Sequence, residues 1–312
     1  MYANNRKSMI YDEKKPLIMG VLNITDDSFF DKSRILSKTM LFDKIKEMLS
    51  VGVSILDIGA CSTRPDSSPV SLEEELARLE SVMPFLREEF PDILVSIDTF
   101  RSEVARIAVE DWGVNWVNDV YAGDIDSNMF KVVSELKVPY VLTHHSKSNL
   151  DGIDLVKEIF AFFASKLERL RSCGVEEVVL DVGFGFGKDL RQNFQLLHSL
   201  SEFKKLNCPL LVGLSRKRMV WQTLGITPNE ALNGTTVLNT IALLNGANIL
   251  RVHDVAEAKQ VVDLVYEYND KEQDIITEQD GDKIEYILRS KKYSYYHTGR
   301  YYEGYPIRRK SH

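Results

Sequence analysis

The chain has 312 residues, 44% of them hydrophobic and 27% charged, with 46 acidic against 39 basic side chains and a net charge of −7. Such a composition suits a globular protein with room for one large α/β domain or two smaller ones, and it argues against a protein that wraps duplex nucleic acid. Cys61, Cys173 and Cys208 lack metal-ligand spacing, the opening MYANNRKSMIYDEKK lacks the apolar stretch of a secretory signal, and no apolar run approaches the roughly 20 residues of a membrane span, so a cytoplasmic protein is expected.

After an N-terminal segment, 1–15, short β-type runs alternate with longer stretches of helical period as far as residue 268. The runs are LIMGVL (17–22), SILDIG (54–59), ILVSID (93–98), NWVNDV (115–120), YVLTH (140–144), EVVLDV (177–182), PLLVGL (209–214) and NILRV (248–252). They are apolar nearly throughout, as expected of parallel strands covered on both faces. Between them, SLEEELARLESVMPFLREEF (71–90) places Leu72, Leu76, Leu79 and Val82 or Met83 at helical spacing behind a Glu-rich start. LVKEIFAFFASKLERLRSCG (155–174) is a second amphipathic helix, and Gly52, Gly113, Gly174 and Gly246 suit helix C-caps. Eight strand–helix units predict a closed (β/α)₈ TIM barrel over 16–268, an α/β fold, with an open doubly wound sheet as the alternative. Residues 269–312 form a C-terminal extension, acidic at first and then basic and Tyr-rich; it reads as a mobile tail or one packed on a partner.

In such a barrel the active site lies at the C-terminal ends of the strands. There the sequence places Asn23, then Asp57, Asp98, Asn118–Asp119, Thr143–His144–His145, Asp181, Ser215–Arg216–Lys217 and Arg251–Val252–His253. Any one of these could be a helix cap; polar groups after every strand make a site. Asp98, Asn118 and Asp181 suit a flat, nitrogen-rich heterocycle, because a carboxylate pairs bidentately with an amino–ring-nitrogen edge. Lys217 would reach a carbonyl on the same ring. Arg251 and His253, two apart with a helix starting at Asp254, make a phosphate candidate.

The stretch LDVGFGFGKD (180–189) looks like a phosphate loop but fits neither standard motif. Asp189 stands where a Walker A loop needs Ser or Thr, and Gly183, Gly185 and Gly187 alternate too strictly for a dinucleotide fingerprint. The glycines are instead expected to let backbone, Phe184 or Phe186 pack beside a flat ligand. Lys188 is expected to begin a solvated helix.

Together MGVLNITDDSFFD, DIGACSTRP, VSIDTF, VNDV, LDVGFGFGK, GLSRK and LNGANILRVHDV resemble, in order over about residues 16–265, the dihydropteroate synthases. The resemblance implies a (β/α)₈ barrel, a homodimer and a sulfonamide target that joins 7,8-dihydropterin-6-ylmethyl diphosphate to 4-aminobenzoate, with Mg²⁺, by dissociative substitution. By the same resemblance Asp98, Asn118, Asp181 and Lys217 hold the pterin. Asn23, Thr63, Arg251 and His253 match the diphosphate site, with Asn23 also a metal ligand. Phe29, Thr63, Arg64, Pro65, Phe186 and Ser215 match the aminobenzoate pocket and its loops, and Asp31 joins Lys217, Asp98 and Asp181 as catalytic positions. The chain departs from the family pattern at Thr25–Asp26–Asp27, Lys32–Ser33, Ala60–Cys61 and Thr143, where a pterin-packing Met is usual, and in its extension. Neither nucleic acid nor membrane is expected as a partner. Two rivals remain: a pterin-binding methyltransferase, which needs no diphosphate clamp, and a noncatalytic pterin-binding scaffold.

Overall fold

The computed structural model describes residues 15–24, 34–61, 70–146, 154–269, 275–280 and 283–288. Two compact units divide the chain, Met1–Tyr266 and Glu267–His312. In the first, eight parallel strands close into a barrel in sequence order: β1 (Leu17–Asn23), β2 (Ile55–Gly59), β3 (Leu94–Asp98), β4 (Trp116–Asp119), β5 (Tyr140–Thr143), β6 (Val178–Asp181), β7 (Leu210–Val212) and β8 (Ile249–Val252). Each expected strand is present, and the open-sheet alternative is excluded because β8 pairs with β1, Met19 opposite Arg251.

Helices α1 (Arg34–Ser50), α2 (Leu72–Glu80), α3 (Met83–Glu89), α4 (Ser102–Glu110), α5 (Met129–Leu136), α6 (Leu155–Ser172), α7 (Leu190–His198), α8 (Arg218–Leu224), α9 (Leu232–Leu244) and α10 (Val255–Asn269) follow the strands. Their buried faces share one core with the outward strand residues, among them Ile45, Leu79, Val104, Phe163 and Val262 against Ile18, Leu56, Ile97 and Leu180. The segment expected as one helix over 71–90 is two. Pro84 has no N–H to give back to Glu80 and its ring crowds that carbonyl, so α2 stops at Glu80 and α3 starts with proline in its first turn. Ser71 caps α2 by accepting from Glu74 N at 3.2 Å, ahead of Glu73, Glu74 and Glu75. Among the described residues no helix is long and apolar enough to cross a membrane.

The second unit holds an antiparallel pair, β9 (Ile275–Asp280) with β10 (Lys283–Leu288), where the sequence reading had only a charged tail.

Candidate active site

Alternation along the strands builds the site. Residues two apart on a strand share a face. Met19, Ile55, Trp116, Val141, Val179, Leu211 and Ile249 form a single buried apolar cluster inside the ring. Two residues further along come Val21, Asp57, Asn118, Thr143, Asp181, Arg251 and, just past β7, Gly213, and β3 adds Asp98 opposite Asn118 in register. Apolar gives way to polar within one layer.

Arg251 is the hub of that layer. Its Nε donates to Asp57 Oδ2 at 2.7 Å and its Nη2 to Asp98 Oδ2 at 2.7 Å. Asn118 Nδ2 donates to the same Asp57 oxygen at 3.0 Å. Asp57 is fully buried and Asp98 is 7% exposed. Burial pushes the Asp98 carboxyl up to about 7, although the Arg251 guanidinium pulls the other way. For Arg251 burial opposes the charge, but Asp57 and Asp98 outweigh it and hold its pKa above the ordinary value. Among the described residues, Oδ1 of Asp98 has no hydrogen-bond partner. A buried carboxylate oxygen left in that state is costly until a donor arrives.

Asp181 and Lys217 lie across the mouth. Asp181 Oδ1 accepts Gly183 N at 2.8 Å; burial raises its pKa against the pull of Lys217. Lys217 Nζ donates to the Phe184 carbonyl and stands 4.9 Å from the centroid of the Phe186 ring. Burial lowers its pKa to about 8. Beyond this layer, Ser215 Oγ accepts from His253 N at 3.3 Å and lies 3.1 Å from the ring Nδ1. Partial desolvation, and then Arg251, bring the His253 pKa to about 4, which leaves the ring neutral at pH 7. Asn23 ends β1 exposed, and its Oδ1 is 3.6 Å from where a side chain on Gly59 would begin. Phe186, half-buried, has the His145 ring 5.6 Å from its own.

Of the glycines after Asp181, Gly183 and Gly187 lie close against the backbone of His144 and Ser146, and Lys188 departs from its expected place. Its Nζ donates to three backbone carbonyls, Gly183 at 2.9 Å, Phe186 at 3.1 Å and His144 at 3.3 Å, and burial lowers its pKa to about 7. An ammonium has three protons, and each finds an acceptor. The lysine thus fastens the glycine loop to the end of β5, while Asp189 caps α7 reciprocally with Gln192. The expected solvated lysine is corrected because carbonyls turned inward by the tight loop need a donor. A methyl on Gly183, whose φ is +70°, would stand 1.9 Å from the His144 carbonyl oxygen. Gly183→Ala is therefore expected to lose roughly 3 kcal/mol of stability through backbone strain and overpacking, read from urea unfolding.

The structure thus gathers Asp98, Asn118, Asp181, Lys217, Ser215, Phe186, Arg251 and His253 around one barrel mouth. Phe29, Asp31, Thr63, Arg64 and Pro65 lie outside the described residues. Asp57, a strand-end residue for which the sequence predicts no role, belongs to the site. Its signal was a charge in the middle of ILDIG, which must find a partner when the strand is buried. At the start of α10, where an anion site is expected, Asp254 receives a two-pronged ion pair from Arg216 at 2.8 and 2.9 Å.

Residues 19–253 match the model of a protein family described as pterin binding enzyme. A dihydropteroate synthase of Synechocystis is 40% identical over 257 residues, covering 80% of this chain and 88% of that protein. The chain belongs to the dihydropteroate synthase family. As a member of this family it is a transferase of folate synthesis. A folic acid synthesis protein of Pneumocystis carinii is 38% identical over 258 residues; the chain spans only 35% of its length. A solved dihydropteroate synthase from Clostridium difficile, in the presence of pteroic acid, superposes with a TM-score of 0.79 at 36% identity, covering 84% of this chain and 99% of that one. The family's Xanthomonas albilineans member, solved with 4-aminobenzoic acid, gives 0.77 at 33% identity, covering 83% of this chain and 94% of its own.

Proposed function

We propose that this barrel mouth joins 7,8-dihydropterin-6-ylmethyl diphosphate to 4-aminobenzoate, with Asp98, Asn118, Asp181 and Lys217 on the pterin and Arg251 and His253 on the diphosphate. The observation that carries this reading is the unpartnered Oδ1 of Asp98, buried in a layer of convergent polar groups. A pterin's amino and ring N–H groups are the donors such a layer lacks, and Lys217 answers the ring carbonyl. With Nε and Nη2 of Arg251 committed to carboxylates, Nη1 is the nitrogen left for diphosphate.

The chemistry is substitution at the pterin methylene. The C–O bond to diphosphate breaks with its electron pair leaving on oxygen, and the electron-rich ring shares the positive charge. The aniline nitrogen then forms the C–N bond and gives up a proton to solvent. No strong general base is needed, since the amine attacks while neutral. The residues bind, orient and stabilise separated charge.

Mg²⁺ is part of the same proposal. Among the described residues no cluster of His, Cys, Asp or Glu could hold a metal alone. The exposed Asn23 oxygen fits a magnesium that arrives on the diphosphate, because this ion takes few protein ligands beside substrate phosphates. When bound there it would neutralise charge on the leaving group.

A release assay tests the reading. Diphosphate should appear only when 4-aminobenzoate is added, with dihydropteroate formed in equal amount; pterin binding without turnover would leave the scaffold reading instead. The pH dependence is a second check. Ionised Asp98 is the better acceptor, so affinity for a pterin lacking diphosphate should rise with pH through about 7 and fall above about 8 as Lys217 loses its proton. Calorimetry on wild type and Lys217→Met should show the upper limb only in wild type.

A homodimer and a cytoplasmic location complete the proposal. Val237 and Leu244, each 50% exposed, and Ile241, 38% exposed, share one face of α9, a stripe that a second copy would cover. Light scattering should return twice the chain mass. A monomer mass would remove the dimer from the proposal. The location rests on the globular composition of the sequence.

A further inference from the structure

Among the described residues, four non-glycine positions have left-handed backbone, Ala122, Lys137, Asn207 and Arg216. Lys137 and Asn207 end helical segments, where that conformation is common. Arg216 stands instead between two site residues, Ser215 and Lys217, with φ +52°. Its turn is closed by Lys217 N donating to Leu214 O at 3.2 Å. Glycine is the usual residue for such a position, so an arginine there is held by something else.

The restraint is visible. Arg216 N donates to Thr235 Oγ1 at 3.0 Å. The guanidinium donates from Nε and Nη2 to the two carboxylate oxygens of Asp254, at 2.9 and 2.8 Å, and from Nη1 to the carbonyls of Asn229 at 3.0 Å and Pro228 at 3.3 Å. Asp254 directly follows His253, whose backbone N–H and ring both meet Ser215 Oγ. One fork therefore ties the turn that carries Ser215 and Lys217 to the end of β8, where Arg251 and His253 stand.

We propose that Arg216 is a positioning residue: its two-pronged pair with Asp254 fixes the left-handed turn so that Lys217 faces the pterin pocket in register with Asp181 and Arg251. The inference rests on the assignment of Lys217 to the pterin. A planar fork meeting a carboxylate sets direction as well as distance, which a lysine ammonium cannot do. The guanidinium does not touch substrate; it acts through its neighbour in the chain.

The test is a double-mutant cycle on affinity for 6-hydroxymethyl-7,8-dihydropterin, the substrate without its diphosphate, measured by calorimetry. Arg216→Gly suits the turn's backbone and removes the fork together with the Nη1 bonds to Asn229 and Pro228. It should weaken pterin binding by about tenfold or more in an otherwise wild-type chain and by nothing further in the Lys217→Ala background. Asp254→Asn, which keeps the shape and removes the charge, should give the same pattern and serves if the glycine variant does not fold. Arg216→Lys should not restore affinity. Wild-type affinity in both Arg216→Gly and Asp254→Asn, or an equal loss with and without Lys217, would overturn the proposal. Failure of the wild-type chain to bind the pterin, or unchanged affinity in Lys217→Ala, would instead sink the site assignment on which it rests.

Discussion

Replacing Arg251 with alanine is expected to cost about 3–5 kcal/mol of folding stability, because it strands two carboxylates that the barrel has already taken out of water. Asp57 is fully buried and Asp98 nearly so, and Arg251 binds both. The Arg251 side chain is 23% exposed, so solvent screens the loss only modestly. Removal should also push Asp98 further toward its protonated form. The sequence alone suggested a residue concerned mainly with diphosphate; the geometry adds a second duty. Affinity should fall for pterins with and without diphosphate, and fall further for those that carry it. Arg251→Lys should recover only part of the stability, since a single ammonium cannot span both carboxylates as the guanidinium does. Urea unfolding and calorimetry with both ligands check these outcomes. An alanine variant as stable as wild type would show that the two carboxylates do not depend on this arginine.

Asp181→Asn should do the reverse, sparing the fold and damaging the site. An asparagine oxygen can still accept the Gly183 N–H that now reaches Asp181 Oδ1. What disappears is the charge facing Lys217 and the proposed pterin. Hydrogen bonds to charged groups contribute about 1.5–3 kcal/mol, so pterin affinity should drop by about 10–100-fold, with stability changed by about 1 kcal/mol at most. kcat/KM should fall at least as far. Unchanged affinity would remove Asp181 from the pterin site.

Most of the barrel was legible because the strands are apolar runs with polar residues at or near their ends: ILVSID and EVVLDV state both the strand and its open end. The ends of strands were less so, since β7 contributes only Leu210–Val212 to the ladder although its apolar run is longer. Pro84 was in plain view inside the helical pattern, yet periodicity on both sides masked the break. Pairings across the ring were not legible. Nothing local joins Arg251 to Asp57, 194 residues away, or Lys188 to the carbonyl of His144. Such contacts exist only once the chain is closed. For the β9–β10 pair a local signal was available, since Gly281–Asp282 between two β-branched runs is a two-residue hairpin pattern; the charge of the segment hid it.

The apolar cluster of Met19, Ile55, Trp116, Val141, Val179, Leu211 and Ile249 has a consequence for traffic. It stops the barrel from below, so among the described residues the way in is from above. Whatever rests on the polar floor must enter before anything that sits above it, and can leave only after the upper ligand has gone. With the pterin on the floor, 4-aminobenzoate has no productive place to wait in an empty barrel. Inhibition by dihydropteroate should accordingly be competitive against the pterin substrate.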